Sequence, residues 1–563
     1  AYAQNPKLVP VTGIVLDENE QPFTGVTVTT SDAERNSSIT GKRGDFRLLV
    51  SKATDSLRFS FIGYKTLVLP IKATALVKMQ LGFTEISEVI VTGIYNRKAE
   101  SYTGSAVTIS AAELRRVGNQ NLIQSLKNID PTIYIMDNLL SGSNPNIMPE
   151  MQMRGISSFP AEATELKGNY QNSPNQPLFI LDGFETSLER IIDMDMNRVE
   201  NIVILKDASA KALYGSKAAN GIVVIETKRL TGDRTRVTYK GDINIEAPDL
   251  TSYNLTNAME KLQVEAMEGL YFNTTSPESY IRAQDQYNSR LRLALQGLDT
   301  YWLAKPLRMG VGQKHNINVE TGNSQGLRAS MDFTYNNITG VMKGSDRTNF
   351  MGDANLSYRR KNLLFRNITS VTLNKSNNSP YGQFEDYVKM NPFWQVTDDG
   401  GNILRWAENI NGSLIANPMY DAAIGTFDKE SYLYFSNNLY IEWEILAGLK
   451  ATGRMGFSAK RSDSDTFYPA KHSSFASSSL SGGAALQKGS YTLENGKSST
   501  LSADLNVNYN KLFGKNTIFT NLGAQIYDDS YQAYRHVAVG FPNTTGADAT
   551  FAQGYAPESR PVG

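Results

Sequence analysis

The chain has 563 residues, with 56 Lys plus Arg against 56 Asp plus Glu, so no net field draws it to nucleic acid or to an acidic surface. It contains no cysteine, which removes disulfides, thiolate metal sites and thiol nucleophiles. Mean hydropathy is −0.35 and no stretch approaches the roughly 18–20 consecutive apolar residues of a membrane helix, so a helical membrane protein is excluded. A β-barrel is not excluded, because its strands alternate apolar and polar residues. Ala1-Tyr2-Ala3 reads as the tail of a signal-peptidase site, which implies export and a mature start at Gln4. His315, His472 and His536 lie far apart without ligand-like spacing and read as surface or strand residues; no metal site or cofactor is expected.

Residues 1–8 read as a tail, and residues 9–82 as a small β-sandwich. Short strands are predicted at Val11 to Val15, Val26 to Val28, Phe46 to Leu48 and Leu57 to Phe61, with a turn over Asp17 to Pro22 and a bend at Gly63-Tyr64. Asp17, Glu18 and Glu20 read as loop carboxylates, since nothing nearby would perturb their pKa. Residues 83–98 form a linker that holds Glu88, Val89, Ile90, Val91, Thr92 and Gly93. Such a β-branched segment can add as a strand to the sheet of a partner, with backbone hydrogen bonds bearing load. The alternative is one more strand of the sandwich.

The stretch Leu205 to Lys228, LKDASAKALYGSKAANGIVVIETK, organises the middle of the chain. Lys206 precedes Asp207, which is an N-cap; the Ala-rich run to Tyr214 favours helix, and Gly215 stands where a helix stops in a left-handed conformation. Asn220-Gly221 signals a two-residue turn, and Ile222 to Thr227 a strand. Upstream, Ser110 to Glu113 has the pattern of a capping box, and Asn119 to Asn128 is a second helical run ended by Asp130-Pro131. Met153-Arg154-Gly155-Ile156-Ser157-Ser158 and Pro177 to Asp182-Gly183 are two further ordered motifs. In this order and wording, residues 99–230 resemble the plug domain of SusC/RagA-like TonB-dependent outer-membrane transporters.

The resemblance extends to both sides of the plug. The sandwich resembles the carboxypeptidase-regulatory-like domain of that family through Gly13, Val15, Asp17, Pro22, Gly25, Val28, Gly44, Phe46 and Gly63-Tyr64, and carries no peptidase chemistry. Glu88 to Gly93, EVIVTG, resembles a TonB box, and its position between sandwich and plug favours that reading. Arg154 and Lys206 are expected to fix the plug through internal hydrogen bonds. Asp193 and Asp195, two apart beside an apolar strand, read as turn and cap residues and not as a catalytic pair.

Residues 231–563 alternate as barrel strands, as in Leu327 to Tyr335, Leu439 to Ile445, Ala503 to Tyr509 and Ile518 to Ile526, with a tight turn at Ala447-Gly448. Polar stretches from Asn374 to Asn402 and from Ser462 to Gly496 are expected as extracellular loops. The fold class is therefore mainly β: a transmembrane β-barrel with an α/β plug and an N-terminal β-sandwich. Family barrels have about 22 strands, whereas the length after the plug suits about ten at the usual strand length, so the chain is expected to be the N-terminal part of a longer protein.

The resemblance implies import of a bulky nutrient, oligosaccharide or peptide, across the outer membrane of a Gram-negative bacterium. The implied partners are a SusD-like lipoprotein, the TonB-ExbB-ExbD complex and outer-membrane lipid, with the sandwich and TonB box in the periplasm. No catalytic constellation is found, and no enzyme is expected. The competing reading is a SusC-like structural or assembly component with little or no transport.

Overall fold

In the computed structural model the chain forms two units, residues 1–91 with 95–103, and residues 92–94 with 104–563. The structure describes residues 9–556 apart from 18–19, 31–35, 51–55, 62–65, 72–75, 80–88, 92, 94–95, 99–105, 118–121, 137–143, 154–174, 207–213, 231–233, 273–275, 324–325, 411–412, 476–487, 514–515 and 542–546.

In the first unit, β1 (Val9–Leu16) lies between β4 (Asp45–Val50) and β7 (Leu76–Lys78). A second sheet has the order β3 (Ser37–Ile39), β2 (Thr27–Thr30), β5 (Ser56–Ser60), β6 (Leu67–Pro70). Alternate residues Phe46, Leu48 and Val50, and Leu57 and Phe59, share one core with Val15, Val26, Val28 and Val77. A period of two buries one face of each strand, which is the sandwich the alternation predicts. Asp17 accepts the Gln21 N–H at 2.8 Å, closing the turn between them, and Glu20 pairs with Lys78 at 2.8 Å. β8 (Val89–Val91) and β9 (Asn96–Lys98) pair antiparallel as a separate hairpin, so Val89 to Val91 joins neither sandwich sheet.

The plug body of the second unit is a five-stranded sheet. Its order is β10 (Ala106–Ser110), β15 (Val199–Leu205), β16 (Ile222–Thr227), β13 (Leu178–Leu181), β14 (Phe184–Thr186), with β11 (Tyr134–Met136) and β12 (Glu150–Gln152) as a side hairpin. β15 and β16 are buried on both faces, which explains their continuous Val/Ile runs. Helices α1 (Ala111–Val117), α2 (Leu122–Ile129) and α3 (Leu188–Asp193) pack on this sheet through Leu114, Leu122, Ile123, Leu126 and Ile191. The capping box is complete: Glu113 Oε2 accepts the Ser110 N–H at 2.8 Å, and Ser110 Oγ accepts the Glu113 N–H at 3.3 Å.

The remaining sheet is ten-stranded and antiparallel, running β17 (Arg236–Glu246), β18 (Gly310–Gly322), β19 (Leu327–Thr339), β20 (Asp346–Arg360), β21 (Leu363–Asn378), β24 (Phe427–Leu446), β25 (Leu449–Tyr468), β26 (Ser490–Phe513), β27 (Asn516–Val539), β28 (Gly554–Tyr555). A hairpin of β22 (Trp406–Ile410) and β23 (Ser413–Ala416) interrupts it. The turns after β20 and β24, at 361–362 and 447–448, are short and share one edge, as do the facing ends of β18 with β19 and of β26 with β27; the long connections that follow β17, β21 and β25 leave from the other. This asymmetry is that of outer-membrane barrels. On β19, Met331 and Phe333 are 57% exposed on the outer face, while Ser330, Asp332 and Thr334 are at most 5% exposed on the inner one. His315 stacks with Tyr335, which packs on Phe350, as an aromatic ladder across three strands.

Two expectations need correction. Residues 374–378, 462–468 and 490–496 belong to β21, β25 and β26, not to loops. Strands of 16–24 residues continue past the roughly 9–11 needed to cross the hydrocarbon, because neighbouring strands keep pairing beyond it. The long-connection side also has a folded layer that the polar composition concealed. Helices Ala258–Met267 and Pro277–Leu295 pack with Trp302, Leu303, Tyr387, Phe393 and Trp394 around a core of their own. Arg290 donates to both Glu408 oxygens at 2.7 Å and to the Tyr271 hydroxyl at 2.7 Å, locking the longer helix to β22. Capping boxes at Asn257/Glu260 and Ser276/Ser279, with Pro277 at the first helical position, were the legible signals.

A charge on the outer face tests its orientation. Phe333→Arg is expected to destabilise the inserted barrel by roughly 2–4 kcal/mol if residue 333 lies near the bilayer midplane, with Phe333→Leu near neutral; urea unfolding in lipid vesicles measures both.

Candidate functional site

The site is the polar seam between the plug and the inner barrel wall. The Asp182-Gly183 turn joins β13 to β14, and both residues have positive φ (52° and 91°), as a two-residue hairpin turn requires. Asp182 also accepts from the N–H and hydroxyl of Thr227 (3.0 and 2.7 Å), tying the turn to the end of β16. Ser187 then caps α3, and Asp195 caps the short 3₁₀ turn Met196–Arg198. Between residues 189 and 198 this segment carries Glu189, Arg190, Asp193, Asp195 and Arg198, which face the wall.

Each of these charges has an opposite charge on a strand. Asp193 takes two hydrogen bonds from Arg347 on β20 (3.0 and 2.8 Å), one from Asn349 (2.8 Å) and one from the Tyr432 hydroxyl. Asp195 pairs with Lys314 on β18 at 2.8 Å. Asp353 on β20 receives Arg190 at 3.0 Å and also Arg198, while Arg190 reaches Thr372 on β21 at 2.5 Å. Glu189 pairs with Lys460 on β25. Burial strongly opposes ionisation of Asp193, yet the Arg347 guanidinium and its hydrogen bonds hold the carboxyl below the ordinary carboxylate range. Asp195 is lowered likewise, with burial outweighed by Lys314. On the short-turn side of this belt a cavity of about 670 Å³ separates the plug strands β15 and β16 from β17–β19.

A second contact involves Gly93. Arg454 on β25 donates both to the Gly93 carbonyl and to the Gly183 carbonyl (2.8 Å), while Asp504 on β26 holds its Nε at 2.9 Å. Gly93 has φ +83°, and a Cβ there would lie 2.4 Å from the Tyr214 hydroxyl and 3.0 Å from Ile180, so no other residue fits. The barrel arginine thus closes over the junction of linker, plug turn and Tyr214. Burial raises the Tyr214 pKa and Arg454 opposes it, which keeps the phenol neutral.

The residues singled out from sequence divide clearly. Asp182, Gly183, Gly93 and Tyr214 meet at Arg454 or one residue from it. Lys206 lies elsewhere, paired with Asp130 at 2.7 Å. Gly215 has the left-handed φ of +66°. Gly221 has φ +92° and its N–H bonds the Ala218 carbonyl at 3.1 Å, but Asn220 is not in the positive-φ region, so the turn at Asn220-Gly221 leads into the central strand β16 and does not close a hairpin. Glu88, Thr92, Arg154, Gly155 and Asp207 lie outside the described residues. Asp195 is the cap expected of it; Asp193 is instead the most heavily paired carboxylate of the seam. Arg347, Asp353, Lys314, Lys460 and Arg454 were not identified from sequence, since each is one polar residue in an alternating strand. Their only signal is a full charge at an inward position where uncharged residues would serve.

Removing one partner of a buried pair leaves the other charge uncompensated. Arg347→Met is expected to loosen α3 by about 3–5 kcal/mol, read by amide hydrogen exchange, and Arg347→Met with Asp193→Leu should recover most of it. Because the Asp193 pKa is depressed, its contribution is complete above about pH 4 and is lost as pH falls through the lower folded value; protection of α3 should follow that course. Arg454→Ala should release the linker at Gly93, seen as faster proteolysis between residues 83 and 98, with the plug sheet still protected.

Known proteins share parts of this sequence and fold. The TonB-dependent Receptor Plug Domain family matches residues 98–222, and the CarboxypepD_reg-like domain family matches residues 11–91. The TonB-dependent receptor SusC of Bacteroides thetaiotaomicron is 28% identical over 388 residues, 67% of this chain and 34% of that protein. The TonB-dependent receptor P39 of Formosa agariphila is 23% identical over 563 residues, 96% of this chain and 50% of that protein. Among solved structures, the RagAB peptide importer in the open-open state aligns with a TM-score of 0.64 at 17% identity, covering 84% of this chain and 52% of that one, a likeness of fold. The chain spans about a third to a half of the length of these relatives. With a plug and a regulatory-like domain in that order and a barrel-type sheet of like fold, the chain is similar to the SusC/RagA-like TonB-dependent transporters.

Proposed function

We propose that the protein imports a bulky nutrient, oligosaccharide or peptide, across the outer membrane of a Gram-negative bacterium. The sandwich and linker lie on the periplasmic side, and a SusD-like lipoprotein covers the long connections. The observation that carries the reading is the seam itself: the plug meets the wall through ion pairs and hydrogen bonds, while its apolar core stays within the plug. Polar contacts exchange with water as they separate, so a plug held this way can shift without exposing a hydrophobic interface.

In this mechanism Glu88 to Gly93 is the TonB box. The TonB-ExbB-ExbD complex pairs with it by strand addition and pulls on its backbone. Force reaches the plug first at Gly93, where Arg454 bridges to the Gly183 turn, and from there the β13–β14 hairpin leads directly into α3. The short-turn-side cavity beside β15 and β16 gives the passage its exit. No covalent chemistry is required.

Deleting residues 88–93 should abolish energy-dependent uptake while the barrel still assembles in the outer membrane. Unchanged growth on the cognate nutrient after the deletion would refute the mechanism and favour an assembly role.

A further inference from the structure

A polar cluster on the barrel wall faces away from the plug. Ile368, Ser370, Ser436 and Asn438 line a small cavity against the plug, so they point inward. Their neighbours Asn367, Thr369 and Asn437 point outward, because successive residues of a strand face opposite ways. Asn367 and Asn437 exchange amide hydrogen bonds at 3.1 and 3.2 Å, and Asn437 also donates to the Thr369 hydroxyl oxygen at 2.7 Å.

The outward face around this cluster is apolar. On β21 the outward residues from Leu373 to Leu363 are apolar except Thr369 and Asn367, and on β24 those from Leu433 to Trp443 are apolar except Asn437. Lys375 marks one end of the apolar stretch on β21 and the turn at Lys361-Asn362 the other. The three polar residues stand midway between them, at the depth of the hydrocarbon, where polar side chains are costly and rare. Backbone pairing of Thr369 with Asn437 and of Asn367 with Leu439 already sets the register of these strands, so the amides are not needed for it.

Two further observations say what meets the cluster. Asn437 Oδ1 and Thr369 Oγ1 each accept one hydrogen bond and keep an open acceptor position among the described residues, while the second Asn367 N–H makes only a long bond of 3.4 Å to the Asn438 carbonyl. Beside them, Gly352 and Ala354 on β20 pair with Val371 and Thr369. They form a shallow floor between Met331 and Phe333 on β19 and Phe435 on β24, all exposed. Small residues let two membrane surfaces approach closely, and polar ones hold them by hydrogen bonds.

We infer that this face docks a second copy of the chain within the membrane. Lipid tails offer no hydrogen bond at this depth. A patch with amide donors beside open acceptors is complementary to itself. Two copies inserted the same way are related by a two-fold axis along the membrane normal, which sets patch on patch. Phe435 of each copy then enters the Gly352–Ala354 floor of the other, and the weakly held Asn367 N–H turns to the open acceptor of the other copy. The inference goes beyond the import reading and rests only on the barrel lying in the outer membrane.

The test uses the full-length protein, purified alone and reconstituted in lipid vesicles over a range of protein-to-lipid ratios. Energy transfer between donor- and acceptor-labelled copies measures association, and protease protection of the strands measures insertion. The wild type should dimerise. Asn367→Leu with Asn437→Leu should weaken association by about tenfold or more, the scale of a pair of hydrogen bonds in a bilayer. Gly352→Leu, which fills the floor, should weaken it as well, whereas Ile243→Ala on the outward face of β17 should not. The leucine variants suit a lipid face and should insert like the wild type. An inserted wild type that stays monomeric, or an association that survives the double leucine variant, would overturn the proposal. So would cross-linking at Asn437→Cys, in intact outer membranes, to a different protein and not to a second copy. A wild type that fails to insert would sink the membrane reading and this proposal with it, whereas an inserted monomer sinks only the dimer.

Discussion

Burying a charge is costly unless an opposite charge meets it with good geometry, and the seam between plug and barrel wall is built on that constraint. Asp193, Asp195, Arg190 and Arg198 on the plug are matched by Arg347, Lys314 and Asp353 on the strands. Such pairs add little net stability over well-packed apolar residues, but they specify one position sharply, because any slip leaves several charges unpaired at once. The plug is thereby placed accurately without being glued by an apolar surface.

That choice suits a part which has to move. The apolar cores are local: one within the plug, one in the helical layer over the long connections, one within the sandwich. Among the described residues, none of these three bridges the plug and the inner face of the strands. Motion at the seam costs polar contacts that water can replace, while each folded body keeps its own core. Arg454 stands apart from the other pairs because it holds two backbone carbonyls, those of Gly93 and Gly183, and so restrains the chain itself at the point where a pull would arrive.

The wall divides its inner face by level. Near the short turns and at mid-height, inward polar residues are spent on one another and on the plug, as in the Asn316–Asp332–Thr334 cluster at 2.7 and 2.8 Å. At the long-connection mouth the inner face opens onto a cavity of about 600 Å³, where Asp421 and Asp428 are still held by Ser473, Asn378 and Thr466.

Much of this architecture was legible in the amino-acid sequence. Period-two alternation from Leu327 to Tyr335 marked a barrel strand, and the β-rich run from Ile222 to Thr227 marked a strand of the plug. These are local signals, in which backbone geometry and burial are decided by residues next to one another. The partners of the seam are not local. Arg347 meets Asp193 across 154 positions and Arg454 meets Gly93 across 361, so no spacing rule joins them. The helical layer was hidden for the same reason: Arg290 finds Glu408 only once two long connections fold together. Sequence alone determined the short strands of the sandwich, the capping box at Ser110 and the alternation of faces along strands such as β19. Tertiary structure alone decided which charges neutralise each other and which remain free, because that depends on the distance between segments that the chain brings together only on folding.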